Sequence, residues 1–570
     1  MTRHENEATL AFRKARDVLL DNREDLEAAH RAFSWPELDR FNWALDWFDV
    51  IADGNRTPAL RILGPAGDGS ADTEVSYEVM SRRSDQVACW LRELGVRRGD
   101  HLLLVLHNRV ELWETLLAAI KLGAVIVPTY TTTTPSDLAD RIERAQIRHV
   151  IAEAESVSRF ADIPVTWTRI AVGGPAAGWL PFEDSLQAGT TFTPDGWTRA
   201  DDPLFRYFTS GTTSRPKMVA HTHLSYPVGH LSGMYWNGVR PGDRHLNVSA
   251  PGWAKHAWSS FFVPWNAEAT VLALAAPRPG PAEILTALRT REITTLCAPP
   301  TVWRGMIQGG LGERPPMLRE AAAVGESLEP ALYNAVHDAW GLSVRDGFGQ
   351  TETTAQIGNP PGRTVTPGRM GWALPGYELL LVDQESGKEV PDGTPGELCV
   401  NLSPAPAGVM TGYAGDEAKT AAAFKGGVYH TGDLVVRHED GSFAYVGRTD
   451  DMFKSFDHRI SPLELERALL RSALVGHAAV VAVPHPVGLW EPKAYIVPAQ
   501  GLAPDEETAR TVFADAVAQL PREKWVRLLE FTTELPLTAS GKIRRAELRE
   551  RPERPEMVHR LTEPEWGEGA

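Results

Sequence analysis

Residues 101–108, HLLLVLHN, are an almost continuous apolar run. A strand buried on both faces reads this way. The next stretch, ELWETLLAAIKLG, repeats apolar residues at helical spacing and stops at Gly123. A second apolar run, AVIVP, follows at once. Strand, helix, strand is a βαβ unit, so its strands should run parallel with both faces of the sheet covered. The runs RHVIA, ATVLALAAP and ITTLCAPP alternate with helical stretches such as PAEILTALRT. Residues 7–31 read as one further helix. The fold class is therefore α/β.

From about residue 364 the texture changes. PGRMGWALPGYELLLVD, GELCVNL and GSFAYVGR read as short strands joined by Gly/Pro turns, a β-rich subdomain. After GRTDDMFKSF a helix starts, with Ser461 as cap, Pro462 at its first position and Glu464 completing a capping box. The reading is a large N-terminal domain, residues 1–449, of layered α/β subdomains plus the β-rich subdomain. A small α+β domain follows over 450–570.

A chain of 570 residues exceeds one hydrophobic core, which agrees with several subdomains. Fifty-eight basic and 74 acidic residues leave a net charge of −16, which argues against a general nucleic-acid binder. Cys89, Cys297 and Cys399 form no metal-spaced pair, so neither a disulfide framework nor a zinc site is expected. No run approaches ~20 apolar residues, and the polar start lacks a signal-peptide core. A cytoplasmic enzyme without a membrane span is the expectation.

The chemistry concentrates in five stretches. TSGTTSRPK (209–217) offers hydroxyls, a glycine and a lysine, the parts of a phosphate cradle. It lacks the G-x-x-x-x-G-K-[ST] spacing of a Walker loop, and by itself it is equally an ordinary polar hairpin. GFGQTETT (347–354) joins an aromatic between glycines to a threonine and a carboxylate. YHTGDL (429–434) puts Asp433 in a tight turn. GRTDDMFKS (447–455) places Arg448 and two acids before the texture break. LTASGKIRR (537–545) carries a glycine-flanked lysine.

With these five motifs in this order, the chain resembles the adenylate-forming superfamily over almost its whole length. FNWALDWFD, PGWAKHAWSSFFVPWNAEATV and DGFGQTETTAQIGNPPG resemble most closely the medium-chain and related bacterial acyl-CoA synthetases. The resemblance implies that Thr209, Ser210, Gly211, Thr212, Thr213, Ser214 and Lys217 hold the β- and γ-phosphates of ATP. Gly325, Glu326 and Ser327 would line one face of the adenine, with Phe348 near the other and Gly349 and Gln350 beside the nucleotide. Thr351 would contact the α-phosphate, Glu352 would ligate Mg²⁺, and Asp433 with Arg448 would hold the ribose. Asp450 matches the hinge of a mobile C-terminal domain, Arg459 an arginine near the phosphates, and Lys542 the lysine that reaches the α-phosphate and the carboxylate. Trp253 and His256, with Gly349, would line the acid pocket. His221 and His223 read as structural neighbours of the phosphate loop.

Two positions depart from the family pattern. Ser214 stands where most relatives carry glycine, and Asp457 replaces a glycine beside the acceptor tunnel. A carboxylate at Asp457 would narrow that tunnel and repel a thiolate. The implied reaction is acid, ATP and CoA to acyl-CoA, AMP and pyrophosphate. Adenylation with another acceptor stays open, such as an ATP-dependent diazotase activating nitrite for an aromatic amine in secondary metabolism. A non-enzymatic nucleotide-binding scaffold is the third reading. The acid's identity and the oligomeric state are not encoded in any motif.

Overall fold

The computed structural model describes residues 5–65, 72–164, 168–209, 216–456, 458–537, 543–552, 554 and 557–561. These residues form four sheets, of nine, eight, four and six strands. The βαβ unit is present as the strand His101–Val105, the helix Val110–Leu122 and the strand Val125–Pro128. Its strands pair in parallel, and Gly123 closes the helix in the left-handed conformation.

Both large sheets are mixed, not purely parallel. In the eight-stranded sheet, Pro203–Thr209 and Lys217–Thr222 are antiparallel neighbours, with Thr209 opposite Lys217. In the nine-stranded sheet the parallel series ends at Val344–Gln350, which pairs antiparallel with Thr354–Gly358. Only a three-residue turn separates these two strands, too short for the crossover that a parallel pair needs. The expected single N-terminal helix is two, Glu7–Asp21 and Leu26–Ala32, because Asp25 caps a new start by accepting from Ala28 N–H at 2.9 Å.

The helix Ser225–Asn237 is buried along its whole length among the N-terminal elements. Its Trp236 packs behind two strands of the nine-stranded sheet. A Cβ on Gly347 would lie 2.4 Å from the indole, and one on Gly358 would lie 2.2 Å away. The indole Nε1–H donates to the Asp346 carbonyl at 3.1 Å, so ring and backbone are locked together.

The β-rich subdomain is the four-stranded antiparallel sheet Leu379–Val382, Gly396–Asn401, Val428–Arg437, Phe443–Arg448. Asp433 lies inside the third of these strands, not in a tight turn. The expected turn is instead an irregularity in the strand: Gly432 takes a positive φ of 69°, and the register shifts after Leu434. The last sheet and its helices enclose a separate core that includes Ile460, Leu465, Val480 and Phe513. Ser461 caps its helix by accepting from Glu464 N–H and also donates to the Val446 carbonyl at 2.7 Å, but the expected capping box is not completed, because the Glu464 carboxylate pairs with Lys524 instead.

Candidate nucleotide and acid site

The strand irregularity at Gly432 aims Asp433 into a group of side chains from three strands. Asp433 is almost fully buried. Tyr445 donates to its Oδ1 at 2.8 Å, while Gln350 and Arg448 donate to Oδ2 at 2.5 and 3.1 Å. Gln350 is itself fixed, donating to the Thr431 carbonyl and accepting from Tyr429, both at 2.8 Å. Burial works against the charge on Arg448, but the carboxylates of Asp433 and Asp450 outweigh it and hold the guanidinium above its ordinary range. A Cβ on Gly432 would strike that guanidinium at 2.7 Å.

Phe348 faces Tyr445, with ring centroids 6.1 Å apart. Gly325, Glu326 and Ser327 follow the neighbouring strand Glu320–Val324. Asp346 ties these segments together and escaped the sequence reading. It is fully buried, and burial pushes its carboxyl up to about 8 against the pull of the Gly347 and Leu328 N–H groups. An acid two residues before an aromatic between glycines was the available signal.

At the other end, Lys217 opens its strand opposite Thr209. Ser210, Gly211, Thr212, Thr213 and Ser214 lie outside the described residues, as do Asp457 and Lys542. The turn after Gln350 is held from both sides. His221 Nε2–H donates to the Thr351 carbonyl at 2.6 Å, and Met410 N–H donates to the Glu352 carbonyl at 2.7 Å. Burial lowers His221 to about 4 and His223 to about 3, so both are neutral, and His221 is the one that props the turn. Tyr413 donates to Glu352 Oε1 at 3.1 Å.

An apolar pocket lies beside this site. Leu104, Leu106, Leu112, Leu116 and Pro128 line it with Trp253 and His256. The indole edge of Trp253 packs over Gly325, where a Cβ would lie 3.1 Å away, so one ring both walls the pocket and covers Gly325. His256 donates from Nε2 to Asn108 Oδ1 at 2.9 Å, and burial lowers it to about 3. The pocket therefore offers a neutral imidazole.

Among the described residues one group has ligand atoms close enough to share a metal ion: Glu397, Cys399 and His430, within 4.8 Å of one another. Cysteine spacing could not reveal it, because it forms across two strands where Cys399 faces His430. His430 Nδ1 lies 3.2 Å from Glu397 Oε2 and 3.4 Å from Cys399 Sγ. Burial pushes the thiol up to about 12, and Glu397 Oε1 accepts from Gly432 N–H at 3.1 Å. A protonated thiol beside a bonded imidazole and carboxylate is a hydrogen-bonded brace behind Asp433.

The C-terminal part touches the site through Arg467, whose guanidinium donates to Ser327 Oγ at 2.5 Å. Asp450 sits in the turn before it and accepts from Arg448 at 3.2 Å. Arg459 lies on the strand His458–Ile460, opposite Lys454. Residues 53–414 match the AMP-binding enzyme family, and residues 464–542 match the AMP-binding enzyme C-terminal domain. The chain belongs to the AMP-binding enzyme family.

Known AMP-binding enzymes resemble it along most of its length. It is 38% identical over 537 residues to 4-hydroxybutyrate–CoA ligase 1 of Metallosphaera sedula, covering 93% of this chain and 94% of that protein. It is 34% identical to the mitochondrial acyl-coenzyme A synthetase ACSM5 of Homo sapiens, covering 89% and 90%. Among solved structures, the anthranilate CoA ligase AuaEII in complex with anthranoyl-AMP superposes with a TM-score of 0.80 at 28% identity, over 90% of this chain and 97% of that one. A benzoate CoA ligase from Burkholderia xenovorans gives 0.77 at 28% identity, over 90% and 100%. No helix among the described residues is long and apolar enough to cross a membrane.

Proposed function

We propose that this AMP-binding enzyme is an ATP-dependent acid–CoA ligase, which joins a carboxylic acid to AMP and then passes the acyl group to the thiol of CoA. The observation that carries this is the convergence of three sites: the Asp433 group, the Thr351–Glu352 turn, and an apolar pocket sharing Trp253 with Gly325. The first two suit a ribose and a polyphosphate; the pocket, about 10 Å³ as it stands, would have to widen to take the tail of an acid. In this reading residues 1–449 bind ATP and acid, and residues 450–570 form the domain that moves about Asp450.

A carboxylate approaching ATP brings two anions together, so fixed positive charge and dipoles must offset the repulsion. Lys217, Lys542, Arg459 and the hydroxyl loop at 209–214 would supply these, while Thr351 would hold the α-phosphate. Mg²⁺ binds through one or two carboxylates plus phosphate oxygens and keeps several waters. Glu352, half-buried and oriented from one oxygen by Tyr413, fits such an ion, which would screen the phosphate charge when bound. Trp253 and His256 would set which acid tail enters.

The test is pyrophosphate release and thioester formation over a panel of aliphatic and aromatic acids. Acid-dependent adenylation with no CoA product would refute the ligase reading. Nitrite-dependent AMP release with an aromatic amine would replace it by diazotisation.

A further inference from the structure

The segment Met410–Ala414 joins two sheets. Met410 N–H donates to the Glu352 carbonyl at 2.7 Å, at the turn of the nine-stranded sheet. Thr411 and Ala414 donate to Ala220 and Met218 at 2.9 and 2.8 Å, on the strand that begins with Lys217. Gly412–Tyr413 pairs antiparallel with that strand, Tyr413 opposite Val219.

This register places the buried Tyr413 ring between two opposite charges. Its hydroxyl donates to Glu352 Oε1 at 3.1 Å. The Lys217 ammonium lies 3.4 Å from the same hydroxyl oxygen and 4.9 Å from the ring centroid. An edge-strand tyrosine that merely fills space needs its ring alone, and phenylalanine would serve. Here the hydroxyl accepts from a cation while donating to an anion, and each bond polarises the other.

We propose that Tyr413 is a positioning residue that yokes Lys217 to Glu352. It holds the carboxylate in the orientation that receives a divalent cation, and it parks the lysine until phosphate oxygens offer a stronger partner. When the ammonium leaves, the hydroxyl stays on the carboxylate. The proposal rests on the ATP-site reading above and adds to it a residue that none of the sequence motifs contains.

The experiment is calorimetric titration of the full chain and its Tyr413→Phe variant with Mg·ATP and, separately, with AMP. Loss of a hydrogen bond to a charged group weakens binding by about 10-fold to 100-fold. The expected result is a loss of that size for Mg·ATP, a raised Mg²⁺ requirement, and unchanged affinity for AMP, which lacks the outer phosphates. Equal Mg·ATP affinity in variant and wild type overturns the proposal, and so does an equal loss for AMP. Lys217→Met is then made in both backgrounds. The two penalties should combine to less than their product, whereas independent penalties break the yoke. A wild-type protein that binds AMP and Mg·ATP not at all refutes the ATP-site reading itself.

Discussion

The two ends of the proposed nucleotide site are built differently. At the end proposed for the ribose, the side chains that donate to Asp433 include Tyr445, Gln350 and Arg448. At the end proposed for the phosphates, among the described residues Tyr413 donates to the carboxylate of Glu352 and Lys217 rests on the same hydroxyl. The first arrangement is complete before any ligand arrives and suits groups whose charge does not change. The second keeps charged ends ready to exchange partners, which suits a place where charge moves during reaction. Binding that ATP and AMP share should therefore depend on the first, and Mg·ATP binding and rate on the second.

The largest expected effect is at the phosphate end. Glu352→Gln, and likewise Lys542→Ala, should lower kcat for pyrophosphate release by about 100-fold or more. If instead kcat is unchanged, the division between the ends fails. Next comes Asp433→Asn, which should raise KM for ATP by about 10-fold to 100-fold and change kcat little. Steady-state kinetics over an ATP series reads both.

A smaller shift is expected in the pocket that borders both ends. Trp253→Ala should move the ratio of kcat/KM between a bulky and a short acid by about 10-fold toward the bulky one. An unchanged ratio would place the acid elsewhere.

A last effect is on stability and not on turnover. An unfolded aspartate titrates near 3.9, whereas buried Asp346 titrates at about 8. The folded chain thus holds an extra proton between these values. Asp346 favours the fold fully at low pH, and that contribution falls as pH rises from about 4 to about 8. Asp346→Asn should match wild type in melting temperature near pH 4 and exceed it near pH 8.5. A constant difference across this range would mean that Asp346 is already ionised at the lower pH.

Much of the fold was legible because its strands and helices are marked locally. HLLLVLHN and ELWETLLAAIKLG carry strand and helix periods in their own residues, and Ser461 announces its helix. The mixed character of the sheets was not legible, since strand direction depends on which distant segments meet. For the same reason the turn expected at Asp433 proved to be a distorted strand: Gly432 has the composition of a turn, but Gly396–Asn401 and Phe443–Arg448 hold it on either side. Asp346 carried a local signal in the acid that precedes the Gly-Phe-Gly run, but Tyr413 and the Glu397–Cys399–His430 brace act through partners far along the chain, so no local spacing displays them.

Trp236, packed behind Gly347 and Gly358, bears on how this enzyme could be retooled. The strand carrying Phe348 through Gln350 is set against a rigid indole, so side chains introduced at those two glycines would disturb nucleotide geometry before altering acid choice. A randomised library aimed at new acids should spare positions 236, 347 and 358 and spend its diversity on the pocket wall at Leu104, Leu112, Leu116 and His256. In that scheme one tryptophan divides the molecule into a part to inherit unchanged and a part open to rewriting.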